Sequence, residues 1–160
     1  MELRFSPLFS GSSGNAIYAG CDGGHLLVDA GVTCARLTQE LKRIGISFDT
    51  YFNEHTLYAD GRVDGVVEAL RSRGLVYEKE GATWFRTTEF GQGQDRVIIK
   101  SSGEPTYRLP DIAYHCDKFR RGYDWMIDVF GSDHIATVPD VLAGLRALGH
   151  DPDRVTVVLY

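Results

Sequence analysis

The chain reads as an α/β protein, a mainly parallel sheet with flanking helices and one inserted β-hairpin. Three observations predict it. From Asp95 to Tyr160, strand-like and helix-like stretches alternate, as they do where crossover helices join the strands of one sheet. Apolar stripes at helical spacing stop on glycines, Gly45, Gly74, Gly122 and Gly149. Leu75–Glu78 and Ala82–Arg86 are short runs joined by a Glu80-Gly81 turn, the signature of a hairpin. With 160 residues, 43% of them hydrophobic, the chain is long enough for one domain with its own core.

The elements follow in order. Leu3–Phe9 alternates as a strand, and Ser10-Gly11-Ser12-Ser13-Gly14-Asn15 is a polar loop. Ala16–Ala19 is a second strand, Asp22-Gly23-Gly24 a hairpin turn and His25–Asp29 a third strand. Thr33 caps a helix whose apolar face is Leu37, Leu41 and Ile44. Asp60 is placed as the cap of a helix carrying Val63, Val66, Val67 and Leu70. The hairpin comes next, with Trp84 as a structural residue. Glu89–Gln94 is a loop, Arg96–Lys100 a strand and Ser101–Thr106 a turn that delivers Tyr107. Pro110 precedes a helix over Asp111–Arg121, and Trp125–Phe130 reads as a buried strand. Thr137 and Pro139 open a last helix with Val141, Leu142, Leu145 and Leu148 on one face. Arg154–Tyr160 is the final strand.

The net charge of −5 and pI near 5.5 give no global attraction to nucleic acid. Lys118, Arg120 and Arg121 form a local basic cluster, read at helical spacing as a solvated face. No apolar run reaches membrane-spanning length, and no basic-then-apolar signal segment opens the chain. Cys21, Cys34 and Cys116 are odd in number and widely spaced, which predicts reduced thiols in a cytoplasm. The five histidines never fall within a ligand spacing of one another, so no metal site is predicted. The loop at residues 10–15 has no lysine and leads into a strand, which argues against phosphate binding.

The chemistry concentrates between Thr106 and His134. Tyr107 stands four residues before Asp111, at the start of a predicted helix, and the next strand ends in Gly131-Ser132-Asp133-His134. Polar groups gathered where a strand ends and a helix begins are where open α/β sheets hold ligands. A guanidinium is the best match, because its planar fork takes a carboxylate in bidentate contact. A second reading stays beside it. Asp111 would complement the helix dipole and Tyr107 would be a core residue.

The stretch from Leu75 to His134, with its PDIAYH and DKF-x-RG runs, closely resembles the catalytic region of bacterial arginyl-tRNA synthetases, and the resemblance runs from about Phe48 to Tyr160. It implies a partial class I synthetase nucleotide-binding fold and a parent reaction, ATP-dependent activation of arginine and its attachment to tRNA. By that resemblance Tyr107 and Asp111 match the tyrosine and aspartate that hold the substrate arginine, and His134 lines the amino acid pocket. The hairpin would be an insertion in the nucleotide fold. The family's His-x-Gly-His-type and KMSK-type elements, which handle ATP, do not occur, so no catalytic residue is assigned. Arginine is the expected partner, with tRNA binding weak or absent, and exposed apolar faces of an incomplete fold would favour self-association.

Residues 1–47 resemble something else. Phe5-Ser6, Leu8, the SGSSGN run and LLVDAG at Leu26–Gly31 are similar to the start of metallo-β-lactamase-fold hydrolases. The His-x-His-x-Asp-His run that binds metal in that family is absent. The sequence thus looks like a chimera, 1–47 joined directly to 48–160 and folding as one compact unit. The expectation is a synthetase-like fragment that at most binds arginine. The alternatives are a non-catalytic hybrid scaffold and, third, a metal hydrolase.

Overall fold

The structure is a computed structural model that describes residues 4–10, 16–21, 24–28, 32–47 and 49–159, without the side chains of residues 24–28, 34, 133 and 134. It divides into two compact units. One comprises residues up to Phe52 together with Val129–Gly131 and Leu159; the other comprises Asn53–Asp128 and Ser132–Val158.

In the first unit, β1 (Arg4–Phe9), β2 (Ala16–Cys21) and β3 (Gly24–Val28) form an antiparallel meander. Short connections leave no other choice, since a parallel pair needs a crossover of roughly a dozen residues. On β2 burial alternates, placing Ala16 and Tyr18 inside. Helix α1 (Cys34–Arg43) brings Leu37 and Leu41 onto them, with Leu8, Phe9, Ile44 and Ile46 around the edge. Thr33 caps it, its side chain accepting from the Arg36 N–H. Full burial of Leu41 is worth about 2 kcal/mol.

The second unit opens with α2 (His55–Ala59) and α3 (Arg62–Ser72). The cap of α3 is Gly61, at φ 68°, and Asp60 instead ends α2. The left-handed backbone at that junction suits glycine, and an aspartate one residue earlier cannot reach the first free N–H groups from the cap position. Val63, Val66, Val67 and Leu70 are buried as the stripe predicts. The hairpin β4 (Val76–Lys79) and β5 (Ala82–Phe85) turns through Glu80 and Gly81, both at positive φ, the mark of a type I′ turn.

The expected mainly parallel sheet is not found. Strand β6 (Arg96–Ile99) pairs antiparallel with β5, so the hairpin and β6 make one antiparallel sheet. The hairpin, read from sequence as an insertion, is the partner that β6 uses. Strands β7 (Met126–Phe130) and β8 (Val155–Leu159) pair with each other across the crossover helix α5 (Val138–Ala147). The fold is α/β with sheets of mixed character. Strand β7 also departs from its expected burial. Met126 and Asp128 face inward, while Ile127 is 46% exposed and Trp125 just before the strand is 63% exposed.

Helix α4 (Arg108–Arg120) is the centre of this unit, packing on α3 and α5. Gly144 of α5 lies so close to Ile112 of α4 that an added Cβ would meet Ile112 Cγ1 at 2.8 Å. Met126, Leu145 and Val155 form a core with Cys116 and Phe119.

Candidate functional site

The approach to α4 is fixed by backbone bonds. After β6 the chain folds back, Lys100 N–H donating to Glu104 C=O at 2.8 Å and Thr106 N–H to Ile98 C=O at 2.8 Å. The Thr106 hydroxyl also donates to Val97 C=O at 3.0 Å. Tyr107 is therefore delivered at the N-cap of α4, three residues earlier than a helix beginning after Pro110 would require. Pro110 sits in the first turn, where its missing N–H would have had no partner. Tyr107 is 86% exposed and is not a core residue. Asp111 follows one turn later, half-buried, its N–H bonded to Tyr107 C=O at 3.2 Å.

A further tyrosine joins them. Burial, then the negative charges of Glu54 and Asp111, then Tyr107, raise the Tyr58 hydroxyl above its ordinary value. Tyr58 on α2 thus shares its surroundings with both residues of α4. Two carboxylates and two phenols in one neighbourhood form an electronegative, hydrogen-bonding patch suited to a cation. Tyr58 and Glu54 escaped the sequence reading because neither lies on a periodic face nor at a motif position. His134 lies in the 3-10 turn Ser132–Ala136, and its side chain is outside the described residues.

Behind the first turn of α4 is a buried ion cluster. His115 Nδ1 lies 2.7 Å from Asp111 C=O and Nε2 lies 2.5 Å from Asp128 Oδ2. Lys118 Nζ donates to the other Asp128 oxygen at 2.5 Å. Burial alone would raise the Asp128 carboxyl; the His115 and Lys118 contacts outweigh it and hold it below the usual range. An aspartate inside an apolar strand was the available signal for this cluster.

Two similar clusters brace the unit. Asp117 of α4 takes Arg62 of α3 at 2.6 Å together with Arg120 and Arg121, both at 2.7 Å. Asp140 of α5 takes Arg96 of β6 at 3.1 Å and Arg108 of α4 at 2.7 Å. Lys118 and Arg121 are thus turned inward, not spread over a solvated face, because buried aspartates within reach need their charge.

A cleft of about 390 Å³ opens elsewhere on the unit, lined among others by Arg62, Val66, Arg73, Cys116 and His150; neither Tyr107 nor Asp111 borders it. Burial pushes the Cys116 thiol up to about 11. Cys21 and Cys116 are free thiols. Among the described residues no group of three His, Cys, Asp or Glu could hold a metal ion, and no helix is long and apolar enough to cross a membrane.

The comparisons bear on this geometry. The family described as "tRNA synthetases class I (R), catalytic domain" matches residues 28–159, beginning ahead of Phe48. An arginine–tRNA ligase of Desulfotalea psychrophila is 66% identical over 120 residues, 75% of this chain and 22% of that protein. One from Salinibacter ruber is 56% identical over 120 residues, again 75% of this chain and 21% of the relative. A solved structure from Campylobacter jejuni, assigned as an arginyl-tRNA synthetase, superposes with a TM-score of 0.69 at 34% identity and covers 78% of this chain and 27% of that one. The chain thus spans about a fifth to a quarter of the length of these relatives.

Proposed function

The chain belongs to the class I arginyl-tRNA synthetase catalytic-domain family, and from that premise we propose that it carries the arginine-recognition side of such a site. The observation that carries the reading is the placement of exposed Tyr107 and half-buried Asp111 one helical turn apart at the start of α4, with Tyr58 and Glu54 beside them. Asp111 pairs with the guanidinium, whose fork matches a carboxylate. Tyr107 hydrogen-bonds the substrate, and His134 lines the pocket. Tyr58 and Glu54 add acceptors that a cationic side chain satisfies.

Activation of arginine by ATP and transfer to tRNA are assigned to no residue here, and tRNA binding by these residues is expected to be weak or absent. The His-x-Gly-His-type and KMSK-type elements do not occur in these 160 residues. For the residues ahead of the family match, 1–27, we propose a separate origin, on the SGSSGN stretch and its likeness to the start of metallo-β-lactamase-fold proteins; residues 28–47 fall within the match.

Amide NMR of the labelled protein, titrated with arginine, lysine and citrulline, tests the site. Arginine shifts resonances at Tyr58 and from Tyr107 to Ile112; citrulline, which lacks the charge, does not, and Asp111→Asn abolishes the response. Equal responses to arginine and citrulline, or none to either, would sink the reading.

A further inference from the structure

We propose that His115 is a positioning residue for arginine recognition, acting through the Asp111 carbonyl; the inference rests on the arginine reading above. The argument begins with a proton inventory. Nδ1 faces a backbone carbonyl and Nε2 faces a carboxylate. Both are acceptors, so the ring presents an N–H at each nitrogen, and Asp128 is held ionised by His115 and Lys118. The imidazole is buried and cannot turn away to water.

The two bonds do different work. The Nε2–H bond neutralises part of a buried ion cluster and is a matter of stability. The Nδ1–H bond reaches back one turn and grips the backbone of the residue proposed to pair with the guanidinium. A free helix start frays, because its first N–H groups lack partners. Tyr107 makes no side-chain cap at this turn. The His115 ring adds a side-chain tie at Asp111 to the one that Arg108 makes with Asp140, and it anchors Asp111 to β7 through Asp128. A bidentate contact tolerates little misplacement of its carboxylate.

Two substitutions separate the bonds. In His115→Asn the amide nitrogen stands near the Nδ1 position and keeps the donor to Asp111, while Asp128 loses its contact. In His115→Gln the amide nitrogen stands near Nε2 and keeps Asp128 paired, while Asp111 loses its donor. Arginine affinity is measured by calorimetry and stability by urea unfolding. The expected order is opposed in the two readouts. His115→Gln loses about tenfold in affinity yet is the more stable; His115→Asn stays within about threefold of the parent yet is the less stable. Affinity that follows stability, or that is unchanged in His115→Gln, overturns the positioning role while leaving the arginine site standing. A parent protein that binds no arginine overturns both readings together. Should His115→Asn fail to fold, the parent's Nδ1–H resonance decides. It must exchange slowly and show coupling across the hydrogen bond to the Asp111 carbonyl carbon, and absence of that coupling overturns the inference.

Discussion

Asp140→Asn is the substitution whose cost follows most directly from the geometry. The Asp140 carboxylate is 1% exposed and answers two guanidiniums, Arg96 at 3.1 Å and Arg108 at 2.7 Å. An amide there keeps the shape and removes the charge, leaving two cations without a counter-ion. Breaking a buried pair in this way costs about 3–5 kcal/mol. The lower end applies, because the arginine side chains are 28% and 24% exposed and can recover some water. A loss of about 3 kcal/mol, with a urea slope of about 2 kcal/mol/M, moves the unfolding midpoint down by about 1.5 M. Tryptophan fluorescence is the assay, since Trp84 and Trp125, the only tryptophans in the sequence, both lie in the second unit. Adding Arg96→Met and Arg108→Met to an Asp140→Leu background should recover most of the loss, as replacing a whole buried ion cluster by apolar groups often does. A single-variant loss below about 1 kcal/mol would place Asp140 with exposed pairs such as Lys100–Glu104 and refute the burial argument.

Two further outcomes are expected. Asp117 and Asp128 titrate below the usual carboxylate range in the folded protein, so their ion pairs stabilise it fully above the unfolded value of about 3.9 and lose that contribution as pH falls through the folded values. Urea midpoints at pH 7, 5 and 3 should therefore be nearly level between the first two and fall sharply at the third, with a shallower fall in Asp128→Asn. Gly144→Ala should cost about 1–3 kcal/mol by driving a methyl group into Ile112, read as a drop in thermal midpoint; a neutral or stabilising result would mean that α4 and α5 can separate freely.

What could be read in advance was local. Thr33 as a cap, the Val63–Leu70 stripe, the Glu80-Gly81 turn and the glycine stops each depend on neighbours a few residues away, and each appears as expected. The Asp60 cap failed by one residue, because Gly61 can take a left-handed backbone and begin the helix itself. Pairings between distant residues left no such trace. The apolar letters of Trp125–Phe130 concealed an alternation in which Asp128 is inside and Ile127 outside. The choice of β5 as partner for β6 is a tertiary decision, and it replaced the expected parallel sheet. Of the candidate site, Tyr107 and Asp111 were visible through their spacing and a family resemblance, whereas Tyr58 and His115 became visible only once α2, α4 and β7 were in place.

All three buried aspartate clusters have a member on α4. Asp117 is its own, Arg108 reaches Asp140 on α5, and His115 with Lys118 reaches Asp128 on β7. No part of this helix beyond its ends can open without stranding a charge in the interior. Fraying from either end therefore stops within a turn, and partial and complete opening of the unit merge into one event. By this logic the amide protons of the helix middle share a single, slow rate of exchange with solvent, that of the whole unit coming apart. A helix start that would bind arginine from its exposed face is thus attached to the part of the unit least free to breathe.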